Sequence, residues 1–349
     1  MNQAQAIEEV LLACRELVDR GLIARTWGNV SCRIDDKRFA ITPSGIDYGR
    51  LTPQTIVVVD RETLAHEGSV KPSSEKGIHA AAYSLNPRTS FVIHSHQAYA
   101  SCLSVAGFQL LDPRPEERAV LGGDIGLASY GLPGTKSLRK KVAEKLTESS
   151  VILMERHGAL LTGQDRQMTF DRAILLEELC MRALGDLRIS QAAPQGISQK
   201  ESQWDPFNYQ GPEEAGPVHQ ALQETHQGPL ALLHRQSALL ENFMARSQRL
   251  PALLDDFAQI VGSDIKLVEA HDLKKLVRAC RGRNAVLVKG LGAFCFAGTL
   301  TDAQAILTLV EKNALVYLNA DRLGKVKPLP FLDRKLMRLV YTKKYAKMK

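Results

Sequence analysis

Strand and helix patterns take turns along this chain, and the alternation predicts an α/β protein of two domains. Three observations carry that prediction. Apolar runs of strand length, such as 90–95 and 151–155, alternate with helical periods at 74–85, 135–147 and 167–186. A stretch rich in Gln, Ser, Pro and Gly at 191–212, holding Pro194, Pro206 and Pro212, breaks the pattern and reads as a linker. Residues before that stretch recur after it at near-constant spacing, which points to an internal repeat. The expected organisation is a first domain over 1–190, a linker over 191–212 and a second domain over 213–349.

Each element has its own signal. Ile7, Val10, Leu11, Cys14 and Val18 share one face of a helix near 3–20, and Glu8 and Glu9 within it argue against a secretory leader. Strands are expected near 29–34, 38–42 and 55–60. Ser73 or Ser74 can cap the helix 74–85. Strand 90–95 and helix 97–105 follow, then a strand near 119–121, helix 135–147, strand 151–155, a strand near 159–162 and the long helix 167–186.

With 349 residues, 44% of them hydrophobic, the chain can bury a large core. It contains no apolar run of membrane-spanning length, so a soluble protein without a membrane span is expected. The six cysteines, at 14, 32, 102, 180, 280 and 295, show no C-x-x-C spacing and read as reduced, buried thiols of a cytoplasmic protein. The net charge of +7 resides in the tail: ten Lys or Arg lie between Arg322 and Lys349 against the single acid Asp333. A solvated helical end is the plain reading of that charge, and a surface for acidic partners or an anionic membrane is the alternative. Leu329, Phe331, Leu332, Leu336, Met337, Leu339 and Val340 imply that the segment packs on the body. No nucleic-acid partner is expected.

The chemistry gathers around two histidines with one residue between them. His94 and His96 close the strand 90–95, and period two points them to one side, as two ligands of one metal ion require. His157 ends another apolar run and offers a third imidazole, and three imidazoles with an open position make the usual shell of a catalytic zinc. Glu75, in the first turn of the helix 74–85, can serve such an ion as ligand or general base. Gly28 and Gly45 allow backbone N–H groups to approach an anion closely. Asn29, Ser73 and Ser74 add side-chain donors, and the helix start adds its positive end.

These residues fall in ordered blocks: Thr26 to Ser31, Thr42 to Gly45, Pro72 to Glu75, His94 to His96, and His157-Gly158. Over roughly 5–190 the chain thereby resembles the class II aldolase/adducin family, specifically its fuculose-1-phosphate aldolase type. The resemblance implies a three-layer α/β/α domain, its central and mostly antiparallel sheet covered by helices on both faces. It implies Zn2+ on His94, His96 and His157, with Glu75 as acid/base and Thr26, Asn29, Ser44, Gly45, Ser73 and Ser74 around a substrate phosphate. The implied reaction splits a ketose 1-phosphate into dihydroxyacetone phosphate and an aldehyde through a zinc-stabilised enediolate, and Glu75 would work best in it with a pKa raised by burial. Other divalent ions accept the same donors. A dehydratase or decarboxylase acting on a related sugar phosphate, and a non-catalytic adducin-like scaffold, are the alternatives. In one respect the chain departs from the family: the aldolases use a tyrosine from a neighbouring subunit as acid toward the leaving aldehyde, and Pro113 to Arg118 hold none, although Tyr130 lies downstream.

At an offset of 140, His79 aligns on His219 and His94 on His234, with Gly122 on Gly262 and Leu127 on Leu267. At an offset of 134, Leu153 aligns on Leu287 and Gly158 on Gly292. The second half therefore reads as a degenerate aldolase-like repeat, in which Ala215, Gln236 and Leu291 replace Glu75, His96 and His157. Family members form fourfold rings, so the resemblance implies a homo-oligomer, a dimer of tandem chains imitating such a ring.

Overall fold

The computed structural model describes residues 1–20, 22, 27–185, 196–200, 213–226 and 230–345, with 196–200 and 344–345 described by their backbone. The chain divides at Gly185 into two compact units.

In the first unit α1 (Gln3–Asp19) precedes a meander of β1 (Gly28–Arg33), β2 (Arg38–Ile41) and β3 (Val57–Asp60). Then come α2 (Lys76–Leu85), β4 (Phe91–Ser95), α3 (Ala98–Ala106), α4 (Pro115–Leu121), β5 (Gly126–Ala128), α5 (Lys136–Leu146), β6 (Val151–Met154), β7 (Gly158–Gly163) and α6 (Arg166–Leu184). The strands form one mixed sheet in the order β3-β2-β1-β4-β7-β6-β5, in which only the pair β5–β6 is parallel. Ile78, Ala82 and Tyr83 of α2 and Leu138 and Val142 of α5 form one core with Val92, Ile152, Met154 and Leu160. The alternate residues Ile93, Val151, Leu153 and Leu161 are also fully buried, and α3 and α6 contact β7, α3 also β6 and α6 also β4. Burial on both faces explains why β4 and β6 read as continuous apolar runs with no alternation.

The strand expected near 119–121 is a helix. Pro115 stands at its start, Glu116 and Glu117 occupy the first turn, and the Glu117 carboxylate accepts from the Arg114 backbone N–H at 2.8 Å. Gly122, at φ 77°, ends it in a left-handed cap. Ala119, Val120 and Leu121 make a strand-like triplet only in isolation; the proline before them and the glycine after them set the boundaries. The neighbouring strand is β5, seven residues downstream.

The second unit contains β8 (Gly196–Lys200), α7 (Gly216–Thr225), β9 (Leu230–Arg235), α8 (Ala238–Met244), β10 (Arg249–Pro251), α9 (Asp255–Ile260), β11 (Asp264–Val268), α10 (Leu273–Cys280), β12 (Ala285–Val288), β13 (Gly292–Ala297), α11 (Leu300–Arg322) and α12 (Phe331–Val340). Its sheet runs β10-β11-β12-β13-β9-β8. The run β9-β13-β12-β11 has the strand order and directions of β4-β7-β6-β5: two antiparallel pairs followed by a parallel one. β8 lies within the stretch whose composition suggested a linker, and it pairs with β9 from Gly196 opposite His234 to Lys200 opposite Leu230. Among the described residues no helix is long and apolar enough to cross a membrane. All six cysteines are buried and free of disulfides.

Candidate metal centre

Register brings the site together. In the antiparallel pair of β1 with β4, Asn29 stands opposite His94, so the two side chains share a face. Glu75 occupies the position just before α2. No side chain caps the helix there, contrary to the role expected of Ser73 or Ser74; the Ser73 hydroxyl instead accepts from the Glu75 backbone N–H at 3.2 Å. His96 lies one residue beyond the end of β4. His157 closes the tight turn between β6 and β7, where Met154 pairs with Gly158 and Arg156 adopts φ 64° to make the reversal. Gly158 is required by distance: a Cβ there would lie 2.3 Å from the Ser95 carbonyl oxygen, so β7 could not approach β4 this closely with any other residue.

One ligating atom each from Glu75, His94, His96 and His157 lies within 4.8 Å of all the others. His94 Nε2 is 3.1 Å from His96 Nε2 and 2.9 Å from His157 Nε2. The Glu75 oxygens lie 3.2 Å from the Nε2 atoms of His94 and His157. Nitrogens bound at about 2.0–2.1 Å to a tetrahedral zinc stand roughly 3.3 Å apart, so a slight outward relaxation admits the ion. The donor chemistry fits as well. His94 Nδ1 donates to the Ala159 carbonyl at 2.8 Å, and in the neutral form of the ring Nε2 then turns a lone pair toward the other imidazoles. Glu75 Oε1 is buried beside them, 3.2 Å from His157 Nε2. Converging lone pairs and a carboxylate oxygen repel one another until a cation sits among them.

The pKa of Glu75 is not raised. Burial does push it up, but the His94 and His157 imidazoles, by charge and by hydrogen bonding, hold it well below the usual carboxylate range. The carboxylate is thus held in its charged form.

The segments expected to hold phosphate are knit side by side. Val30 N donates to Thr42 Oγ1 and Thr42 N to the Val30 carbonyl; Ser73 N donates to the Thr42 carbonyl, and Ser44 N to that of Lys71. A bridge between Pro43 and Pro72 completes the seam. Asn29, Ser44, Gly45, Ser73 and Ser74 therefore belong to one connected patch beside Glu75, with Gly45 at φ 78°. Thr26 lies outside the described residues.

Pattern reading missed a buried chain behind Glu75. Asn29 Nδ2 donates to Glu75 Oε2 at 3.0 Å, Asn29 Oδ1 is 2.5 Å from His79 Nε2, and His79 Nδ1 is 2.6 Å from Ser31 Oγ. Ser31 Oγ in turn lies 2.6 Å from the Tyr83 hydroxyl. Burial, with His94 nearby, lowers the pKa of His79 to about 3 and keeps the ring neutral. The signal available in sequence was spacing: Glu75, His79 and Tyr83 stand four apart, one helical turn each.

Among the described residues the second unit gathers no three potential ligands of its own. His234 stacks on Phe294 with ring centroids 4.5 Å apart and donates from Nε2 to the Leu291 carbonyl, which occupies that nitrogen. Two ion pairs are buried in this unit, Lys312 with Asp256 at 2.7 Å and Arg235 with Glu311 at 2.8 Å.

The first unit is similar to known proteins. Residues 8–184 match the family described as Class II Aldolase and Adducin N-terminal domain. The L-fuculose phosphate aldolase of Escherichia coli strain K12 is 30% identical over 194 residues, which cover 56% of this chain and 89% of that protein. The 3-oxo-tetronate 4-phosphate decarboxylase of Haemophilus influenzae is 29% identical over 168 residues, covering 47% of this chain and 80% of its own. Among solved structures, an L-fuculose 1-phosphate aldolase overlays with a TM-score of 0.47 at 31% identity, covering 51% of this chain and 84% of that one.

Proposed function

The chain belongs to the class II aldolase and adducin family, and on that premise we propose that its first unit is a divalent-metal-dependent carbon–carbon lyase acting on a sugar phosphate. The observation that carries this reading is the convergence of three imidazoles and one carboxylate within 4.8 Å. His94, His96 and His157 would hold the ion, Zn2+ being the expected one. When bound, such an ion supplies Lewis-acid stabilisation of the negative charge that develops on a ketone and its neighbouring hydroxyl, worth several kcal/mol.

The remaining work falls to the chain's own groups. Glu75, held by Asn29, takes a proton from the carbon next to the carbonyl in the condensing direction and returns it after cleavage. Asn29, Ser44, Gly45, Ser73 and Ser74, with Thr26, would hold the phosphate through neutral donors, which fixes the reacting carbon near Glu75. The proposed substrate is a ketose 1-phosphate, and the products are dihydroxyacetone phosphate and an aldehyde.

A second reading has its own support. Loss of carbon dioxide from a 3-oxo-tetronate 4-phosphate also yields dihydroxyacetone phosphate, and it releases no aldehyde that needs a proton-transferring tyrosine. Pro113 to Arg118 contain no tyrosine, and a decarboxylase is among the similar proteins. Both reactions pass through the same carbanion, so one experiment tests their common core: solvent deuterium uptake into dihydroxyacetone phosphate, followed by NMR with metal-loaded protein. The reading expects metal-dependent uptake that Glu75→Gln abolishes; no uptake with metal bound would overturn it. Aldehyde release or carbon dioxide release then assigns the reaction.

For the second unit the proposal is a degenerate copy without an active site. The order and directions of β9-β13-β12-β11, and the burial of His219 and His234 at positions aligned with His79 and His94, support that reading.

A further inference from the structure

The chain of hydrogen bonds behind Glu75 has a fixed direction, and chemistry alone assigns every proton in it. A carboxylate can only accept, so the atom of Asn29 facing Glu75 Oε2 at 3.0 Å is the amide nitrogen. The other atom of that amide is then the carbonyl oxygen, which also only accepts, so His79 Nε2, 2.5 Å away, must carry the hydrogen. With Nε2 protonated in a neutral ring, Nδ1 is an acceptor, and the Ser31 hydroxyl donates to it at 2.6 Å. Ser31 Oγ has spent its one hydrogen and therefore accepts from the Tyr83 hydroxyl at 2.6 Å. No member can be reversed without placing two donors or two acceptors face to face. Asn29, Ser31, His79 and Tyr83 are all buried, which makes such a clash costly.

From this we infer that His79, a residue without a role in the reading above, is the positioning residue for the proton-transferring carboxylate, acting through Asn29. Its Nε2–H locks the Asn29 carboxamide so that the amide N–H binds Glu75 Oε2 and leaves Oε1 facing the His157 side of the metal centre. The lock also decides what Asn29 can offer substrate: one amide hydrogen is committed to Glu75, and the second remains for a phosphate oxygen. Ser31 and Tyr83 hold the tautomer of His79 that makes this possible. Ser31 sits on β1 two residues after Asn29, and Tyr83 sits on α2 one turn after His79, so the bonds of Ser31 to His79 and Tyr83 tie β1 to α2.

This inference rests on Glu75 being the proton-transfer group, and its test separates the two claims. His79→Gln keeps an N–H near the position of Nε2, whereas His79→Leu removes it and leaves the Asn29 carbonyl without a donor. In the deuterium-uptake assay with dihydroxyacetone phosphate, His79→Leu is expected to lose about 10- to 100-fold in kcat, with KM little changed and one zinc per chain retained, and His79→Gln to recover most of the loss. Independently of activity, 15N NMR of imidazole-labelled metal-free protein is expected to show His79 as the Nε2–H tautomer at neutral pH, and Tyr83→Phe to erode that preference. If both His79 variants turn over at the wild-type rate per folded, zinc-loaded chain, or fall equally in step with their melting temperatures, or if NMR finds Nδ1–H, the positioning role is overturned. Should Glu75→Gln retain full exchange, the functional reading itself fails, whatever the His79 variants do.

Discussion

Gly158→Ala tests how the sheet builds the metal centre. The added Cβ would lie 2.3 Å from the Ser95 carbonyl oxygen and 3.2 Å from His96 Cα. An ordinary contact needs about 3.4 Å, so β7 must retreat from β4 by roughly 1 Å, a shift that core packing resists at a cost of about 1–3 kcal/mol. The movement opens the site itself, because Gly158 adjoins His157 on one strand and faces the carbonyl between His94 and His96 on the other. A misplacement of about 1 Å is worth on the order of 100-fold in rate. Zinc affinity, read by competition with a chromophoric chelator, should weaken alongside the lower denaturant midpoint. Gly292→Ala supplies the control, since its Cβ would lie 2.2 Å from the Arg235 carbonyl oxygen, in the second unit, at φ 100°. It should destabilise at least as much and leave zinc affinity alone. Unchanged zinc binding in Gly158→Ala, or an equal loss in Gly292→Ala, would refute the reasoning.

Three further outcomes are expected. Glu75→Gln should bind metal normally while deuterium exchange drops by about 100- to 10,000-fold, the usual contribution of a positioned base; equal exchange in the two proteins removes Glu75 from the mechanism. Lys312→Met removes the ammonium 2.7 Å from the buried Asp256 carboxylate and should cost about 3–5 kcal/mol in urea unfolding, whereas the double change Lys312→Met with Asp256→Leu should regain most of it. Acid should weaken the fold through His219, which burial, with His234 nearby, lowers from 6.5 to about 3. The unfolded chain takes up a proton there below pH 6.5 and the folded chain does not, so stability falls with pH across 6.5 to 3, by about 2 kcal/mol at pH 5. His219→Gln should flatten that part of the stability profile, and a slope identical to wild type would reject the assignment.

The features readable from sequence were those set by local period. His94 and His96 followed from the two-residue repeat of a strand, and His157 from the end of an apolar run, because each signal lies within a few residues of the side chain it places. The strand wrongly expected near 119–121 shows the limit of short apolar triplets, for which Pro115 and Gly122 were better guides. Other features were invisible because they depend on pairing between distant segments. The partnership of Asn29 with Glu75 requires β1 to lie beside β4 in one register and no other. The low pKa of Glu75 depends on where His94 and His157 stand relative to it, since burial alone would have raised it. The strand β8 has weak composition, and it is defined by pairing with β9.

One divalent cation shared by three imidazoles is the centre of the proposed chemistry, and metal analysis of the purified protein by inductively coupled plasma mass spectrometry measures this directly. One zinc or similar ion per chain is expected, retained by Glu75→Gln and lost in His94→Ala, His96→Ala and His157→Ala. A metal content that survives removal of all three histidines, or a wild-type chain that takes up none from metal-supplemented buffer, would contradict it.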